Sequence, residues 1–168
     1  MLSTRSAAET VEQLYRAYNA QDVDAAVACW REGGTEFWPF TGEVRARACL
    51  HAHLSRFYAS FPDSTIVCED MFTAGNRVAT QVTLSGTFTG APFEGFRANG
   101  RHWSTKMAEI FVVTDGLIDH LDVHWDFVSV AEQIGFLPPM DSLGGKFFKR
   151  MFNARVRITE LAGRRASE

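Results

Sequence analysis

The run Asp119-His120-Leu121-Asp122-Val123-His124-Trp125-Asp126 decides how this chain is read. In a β-strand, successive side chains point to opposite faces. Alternation then puts His120, Asp122, His124 and Asp126 on one face, and Leu121, Val123, Trp125 and the following Phe127 on the other. Four titratable groups in a row are costly to bury without a purpose. Lining a cavity, they would supply acids and bases with tunable pKa values. Facing water, they would make an ordinary solvated sheet face.

Working outward, Thr114-Asp115-Gly116 suits a three-residue hairpin loop with glycine in the left-handed position. It joins a strand from His102 to Val113 to one from Leu117 to Phe127 and pairs Val113 with Leu117. In that register the face bearing Asp122, His124 and Asp126 also carries His102, Ser104, Lys106 and Ala108. The other face gathers Trp103, Met107 and Phe111. A two-residue Asp-Gly turn would shift the pairing by one and scramble this segregation. Asp122 and Lys106 are near enough in this register to form a cross-strand ion pair. Two more strands precede the hairpin, Thr65–Phe72 and Val78–Phe88, followed by a Gly-rich connection from Gly90 to Gly100 at the rim of the fold. No helix start or Lys-Ser/Thr follows that connection, so it is not a phosphate loop.

The first half is helical. Ser6-Ala7-Ala8-Glu9 fits a capping box, and Val11, Leu14, Tyr15 and Tyr18 follow at helical spacing. Asp22 caps a short second helix ending near Trp30, broken by Gly33-Gly34, and Glu36–Phe40 forms a short strand. A third helix runs from about Val44 to Ser60 and stops at Phe61-Pro62-Asp63. Helices first and mainly antiparallel strands after them give an α+β fold. Residues 1–137 make one domain and 138–168 a C-terminal extension, with Pro138-Pro139 and Gly144-Gly145 as its linker. Residues 146–168 carry seven Lys and Arg against two Glu, which leaves the rest of the chain at −8. Phe147, Met151, Ala154, Ile158 and Leu161 recur at helical spacing there, so the extension reads as a docked basic amphipathic helix, bracing a subunit contact or covering a pocket. A membrane surface is the weaker reading of the same helix.

Composition narrows the function classes. With 168 residues, 46% hydrophobic and 22% charged, the chain reads as a soluble globular protein. A formal charge of −3 argues against a general nucleic-acid role. A polar start and no long apolar run imply a cytoplasmic protein. Cys29, Cys49 and Cys68 are odd in number and widely spaced, which reads as reduced cysteines and no metal site.

The order of parts resembles the SnoaL-like polyketide cyclases of the nuclear-transport-factor-two-like superfamily. The resemblance is carried by Val11-Glu12-Gln13-Leu14-Tyr15 with Asn19-Ala20-Gln21-Asp22, Phe61-Pro62-Asp63, Gly86-Thr87-Phe88-Thr89-Gly90 with Asn99-Gly100-Arg101, Asp115-Gly116-Leu117-Ile118, and Trp125-Asp126 followed by Gln133-Ile134-Gly135. It implies a cone, a curved antiparallel sheet wrapped round about three N-terminal helices, with an apolar pocket inside and homodimers formed through the sheet. It implies intramolecular aldol closure of a small hydrophobic, carbonyl-rich substrate, with no metal or organic cofactor. The cyclases' acid/base aspartate matches Asp126, which would then reach the internal cavity, and His124 and His102 are the histidine candidates by geometry. Asp122, Lys106, Trp38 and Tyr58 are the remaining candidates for contact with substrate. The chain departs from the cyclases in having Phe88 where they often place His. The epoxide hydrolases of this fold carry an Arg-x-Asp pair that Thr80-Gln81-Val82-Thr83-Leu84 lacks. An epoxide hydrolase or isomerase, or a non-catalytic ligand-binding or dimerisation module, are the alternatives. The apolar face with Trp103, Met107, Phe111 and Trp125 would be the dimer surface if the helices covered only the polar face.

Overall fold

The helix signals at the N-terminus act as read. Ser6 accepts from the Glu9 amide while the Glu9 carboxylate accepts from the Ser6 amide, and helix α1 (Ala7–Asn19) follows. Asp22 caps α2 (Val23–Ala28) through the Ala25 amide. Strands β1 (Trp30–Trp38) and β2 (Gly42–Arg45) lead into α3 (Ala46–Ser60). Then come β3 (Thr65–Ala74), β4 (Arg77–Thr87), β5 (His102–Thr114), β6 (Leu117–Trp125), α4 (Phe127–Ile134) and α5 (Leu143–Arg165). The computed structural model describes residues 5–38 and 42–165, and the side chains of 5–37 and 42–157.

The six strands form one curved sheet in the order β2-β1-β6-β5-β4-β3. All neighbours are antiparallel except β1 and β6, which run parallel. Helix α1 crosses the inner face of β3 to β6, and α3 packs over β1. The core between them holds Val11, Leu14 and Tyr15 against Val78, Val82, Met107, Phe111 and Leu121.

Four sequence expectations are corrected. The second helix ends at Ala28, and Gly33-Gly34 lies inside β1 instead of breaking a helix. A Cβ on Gly34 would stand 2.9 Å from the Ile118 carbonyl oxygen, so glycine is what lets β1 approach β6. The hairpin turn is the two-residue Asp115-Gly116, both at positive φ (54° and 73°), and it pairs Thr114 with Leu117. Asp119 is then an extra residue in β6, because Val113 faces Ile118 while Val112 faces His120. Arg31 holds this bulge and turn, binding the Asp119 carboxylate and the Thr114 carbonyl. The turn and the bulge each shift pairing by one, so the expected segregation of faces survives.

The third correction concerns which face is inner. Trp103, Met107, Phe111 and Leu121 pack against the chain's own helices, and the face bearing His120, Asp122 and His124 points outward. The apolar patch proposed for dimerisation is therefore core. The fourth concerns the extension. Gly144-Gly145 belong to α5, and α5 packs against no other helix or strand among the described residues.

At the other end of the cone an aromatic cluster gathers Phe61, Phe88 and Trp103, with Phe57, Phe93 and Phe136 around them. The Gly-rich connection is drawn onto this cluster by Phe88 and Phe93, and Gly90 sits on the end of α3, its amide bonded to the Ser60 carbonyl.

Candidate functional site

Alternation along β5 buries Trp103, Thr105, Met107, Glu109, Phe111 and Val113 and leaves Ser104, Lys106 and Ala108 exposed. One carboxyl group thus sits on the concave face, among apolar neighbours, with 4% exposure. The apolar stripe of α1 delivers Tyr15 onto it. The Tyr15 hydroxyl donates to Glu109 Oε2 at 2.6 Å and lies 2.7 Å from Thr80 Oγ1. Thr80 is the residue of β4 directly opposite Glu109. Burial pushes the Glu109 carboxyl up to about 7, against the opposing pull of hydrogen bonds from Tyr15 and Thr80. Burial, with the Glu109 charge behind it, pushes the Tyr15 phenol well above its ordinary value.

A second carboxylate shares this face. Glu36 lies opposite Leu121 in the β1–β6 pair and is buried. It is two strands across and two residues along from Glu109, roughly 12 Å at the usual strand dimensions. Burial and then the charge of Glu36 raise the Tyr18 phenol, and burial alone raises Tyr58 to about 12. On α3, burial and then Arg56 lower His53 to about 4. The indole N–H groups of Trp30 and Trp103 are buried without an acceptor among the described residues. An open cleft of about 450 Å³ between α1 and β3 is lined in part by Tyr15, Cys68 and Met71.

The residues singled out from sequence are not brought together here. Asp126 is exposed and caps α4, its Oδ1 accepting the Ser129 amide at 3.0 Å. It does not reach the interior. His124 is exposed on the outer face. Asp122 lies 3.2 Å from His120 Nε2, and His120 Nδ1 lies 2.8 Å from Thr35 Oγ1. Lys106 pairs with Glu69 at 3.2 Å and not with Asp122, because the observed register sets Asp122 opposite Ile110. Tyr58 is half-buried and packs on the core. Trp38 ends β1, and its side chain, like Phe40, lies outside the described residues. Among the described residues no three His, Cys, Asp or Glu side chains are grouped to hold a metal. The signal for Glu109 was present in Met107-Ala108-Glu109-Ile110-Phe111, where alternation sets a charged residue between two core positions. The same parity places Glu36 on the inner face.

Comparison with known proteins agrees with this architecture. No protein of curated function matches the sequence. Among solved structures, the chain is similar to AclR of Streptomyces galilaeus, a proposed hydroxylase, at 17% identity and a TM-score of 0.72, covering 94% of this chain and 98% of that one. It is similar to IdmH of Streptomyces antibioticus, a proposed polyketide cyclase, at 24% identity and a TM-score of 0.69, covering 78% and 99%. A Catenulispora acidiphila protein of ketosteroid isomerase-like fold matches at 19% identity and a TM-score of 0.63, covering 76% and 92%. The SnoaL-like domain model matches residues 11–121, the span from the second turn of α1 to the middle of β6, and the chain belongs to that family.

Proposed function

We propose that this chain is a cofactor-independent acid/base enzyme acting on a hydrophobic, carbonyl-rich small molecule, and that Glu109, not Asp126, moves the proton. The observation that carries this reading is the buried Glu109–Tyr15 pair on the concave face. A carboxyl with a pKa of about 7 holds and releases a proton with similar ease at neutral pH. In its neutral form it donates a hydrogen bond to a carbonyl oxygen, and a dry, apolar site strengthens that bond as charge grows on the oxygen. Tyr15 and Thr80 fix the orientation of the carboxyl group.

Ring closure of the aldol type uses these parts as follows. Glu36, the second inner carboxylate, takes a proton from a carbon flanked by carbonyls. The electron pair moves onto the carbonyl oxygen held by Glu109. The enolate carbon then attacks a second carbonyl of the same molecule, and the new alkoxide takes the proton from Glu109, which regains one from water as Glu36 releases its own. Such general acid–base assistance contributes about 10²–10⁴-fold. The names of the structurally similar proteins support the cyclase class.

Exchange of the acidic carbon-bound proton of a hydrophobic 1,3-diketone in heavy water tests the reading before the substrate is known. Catalysed exchange should inflect near pH 7 and fall at least about a hundredfold in Glu109→Gln. Asp126→Asn should exchange like the parent. Equal rates for parent and Glu109→Gln would remove Glu109 from the mechanism.

A further inference from the structure

Helix α5 leaves the cone with its apolar side in water. Leu143, Phe147, Met151 and Phe152 are all more than half exposed, and Lys146, Arg150 and Arg157 run alongside the Leu143-Phe147-Met151 stripe at helical spacing. Contiguous exposed aromatics of this extent mark an interaction surface. The first turns of the helix are tied to the loop before it. Ser142 Oγ donates to the Pro139 carbonyl and accepts the Gly145 amide, Lys149 Nζ donates to the Met140 carbonyl, and a Cβ on Gly145 would stand 2.4 Å from the Pro139 oxygen.

The cleft between α1 and β3 has the complementary character. Glu12, Glu69 and Asp70 line it over Ile66 and Met71; Arg16 pairs with Glu12 and Lys106 with Glu69, and Asp70 leaves the rim net negative by one charge. Beside it on the same edge strand, Phe72 is 65% exposed. The two ends of the chain also carry opposite charge, with residues 146–168 basic and the remainder acidic. We infer that α5 of one copy docks in the α1–β3 cleft of a second copy, aromatic side inward and cations against the acidic rim. The occupant is a second copy of this chain because that copy presents the apolar floor and the acidic rim together, and steers the encounter by charge. A span of 23 helical residues is about 35 Å, enough to cross the cleft and reach Phe72.

Native Cys68 lies in the cleft and gives the test its handle. In a full-length Cys49→Ser background, Phe147→Cys and Met151→Cys are made in turn and exposed to a mild thiol oxidant. At least one should give a disulfide-linked dimer that disappears when Cys68→Ser is added. Phe147→Glu with Met151→Glu, both at exposed positions, should weaken self-association at least tenfold by light scattering while leaving the melting temperature near that of the parent. Asp70→Lys should weaken it as well, and more so at low salt. A disulfide closed within one chain would place α5 on its own cleft and overturn the inference. So would unchanged association in the glutamate variant. Flotation of a monomeric parent with vesicles of phosphatidylglycerol and phosphatidylcholine, lost in the glutamate variant, would assign the helix to an anionic lipid surface instead.

Discussion

Glu109 keeps its proton up to about pH 7 in the folded chain but releases it near 4.5 once unfolded. Between those values the folded state binds more protons, so stability is fullest below pH 4.5 and declines as pH rises towards 7 and just beyond. The shift corresponds to about 3 kcal/mol. Glu109→Gln should remove that decline, which urea unfolding at pH 5 and pH 8 will show as a smaller loss than in the parent. His53 slopes the other way, since a histidine held neutral to about pH 4 costs stability as pH falls below its ordinary 6.5. The slope left in Glu109→Gln should therefore rise with pH. At Asp126, Asn caps a helix as well as Asp does, so Asp126→Asn should melt like the parent while Asp126→Ala loses about 1 kcal/mol. The buried acid was legible in the alternation of β5. Its partner was not, because Tyr15 lies 94 residues away and only the packing of α1 across the sheet joins them.

Elements bounded by local chemistry were read correctly from the sequence. The capping box of α1, the Asp22 cap of α2 and the Phe61-Pro62-Asp63 stop after α3 each depend on neighbours a few residues away. Elements decided by distant contact were not. Gly33-Gly34 looks like a helix breaker until Ile118 is seen against it, and β1 owes its existence to the parallel partner β6. The Gly-rich connection likewise reads as a rim in the sequence, yet Gly90 is where it closes on α3. A Cβ there would stand 1.9 Å from the Ala59 carbonyl oxygen. Gly90→Ala should cost more than about 2 kcal/mol by chemical denaturation, since the obstacle is backbone and not a side chain that can turn away. A cost near zero would mean that the connection is not seated on α3.

For the whole molecule, the sequence fixes which residues share a face but not which face turns inward. That choice is made by what α1 must bury, and Val11, Leu14 and Tyr15 take the apolar side of the sheet. The expected polar cavity therefore became an outer surface, while the family and the cone stood. The bulge at Asp119 protects that choice. Strand β6 behaves like a reading frame of two, and Asp119 is one residue more than the ladder between Ile118 and His120 has room for. The bulge takes that residue out of the count, with Arg31 as its clamp, so Leu121 still meets Phe111. Asp119→Ala loses only a partly exposed ion pair and should fold, about 1 kcal/mol weaker at most. Deleting Asp119 should close the bulge and leave the pairing as it stands, with His120 directly after Ile118 opposite Val112 and Leu121 still opposite Phe111, so a cooperative thermal transition by circular dichroism should be kept. Inserting one residue between Val123 and His124 should abolish that transition, because it turns the rest of the strand over. A residue can be lost at the bulge without inverting the strand, whereas one gained elsewhere needs a bulge of its own.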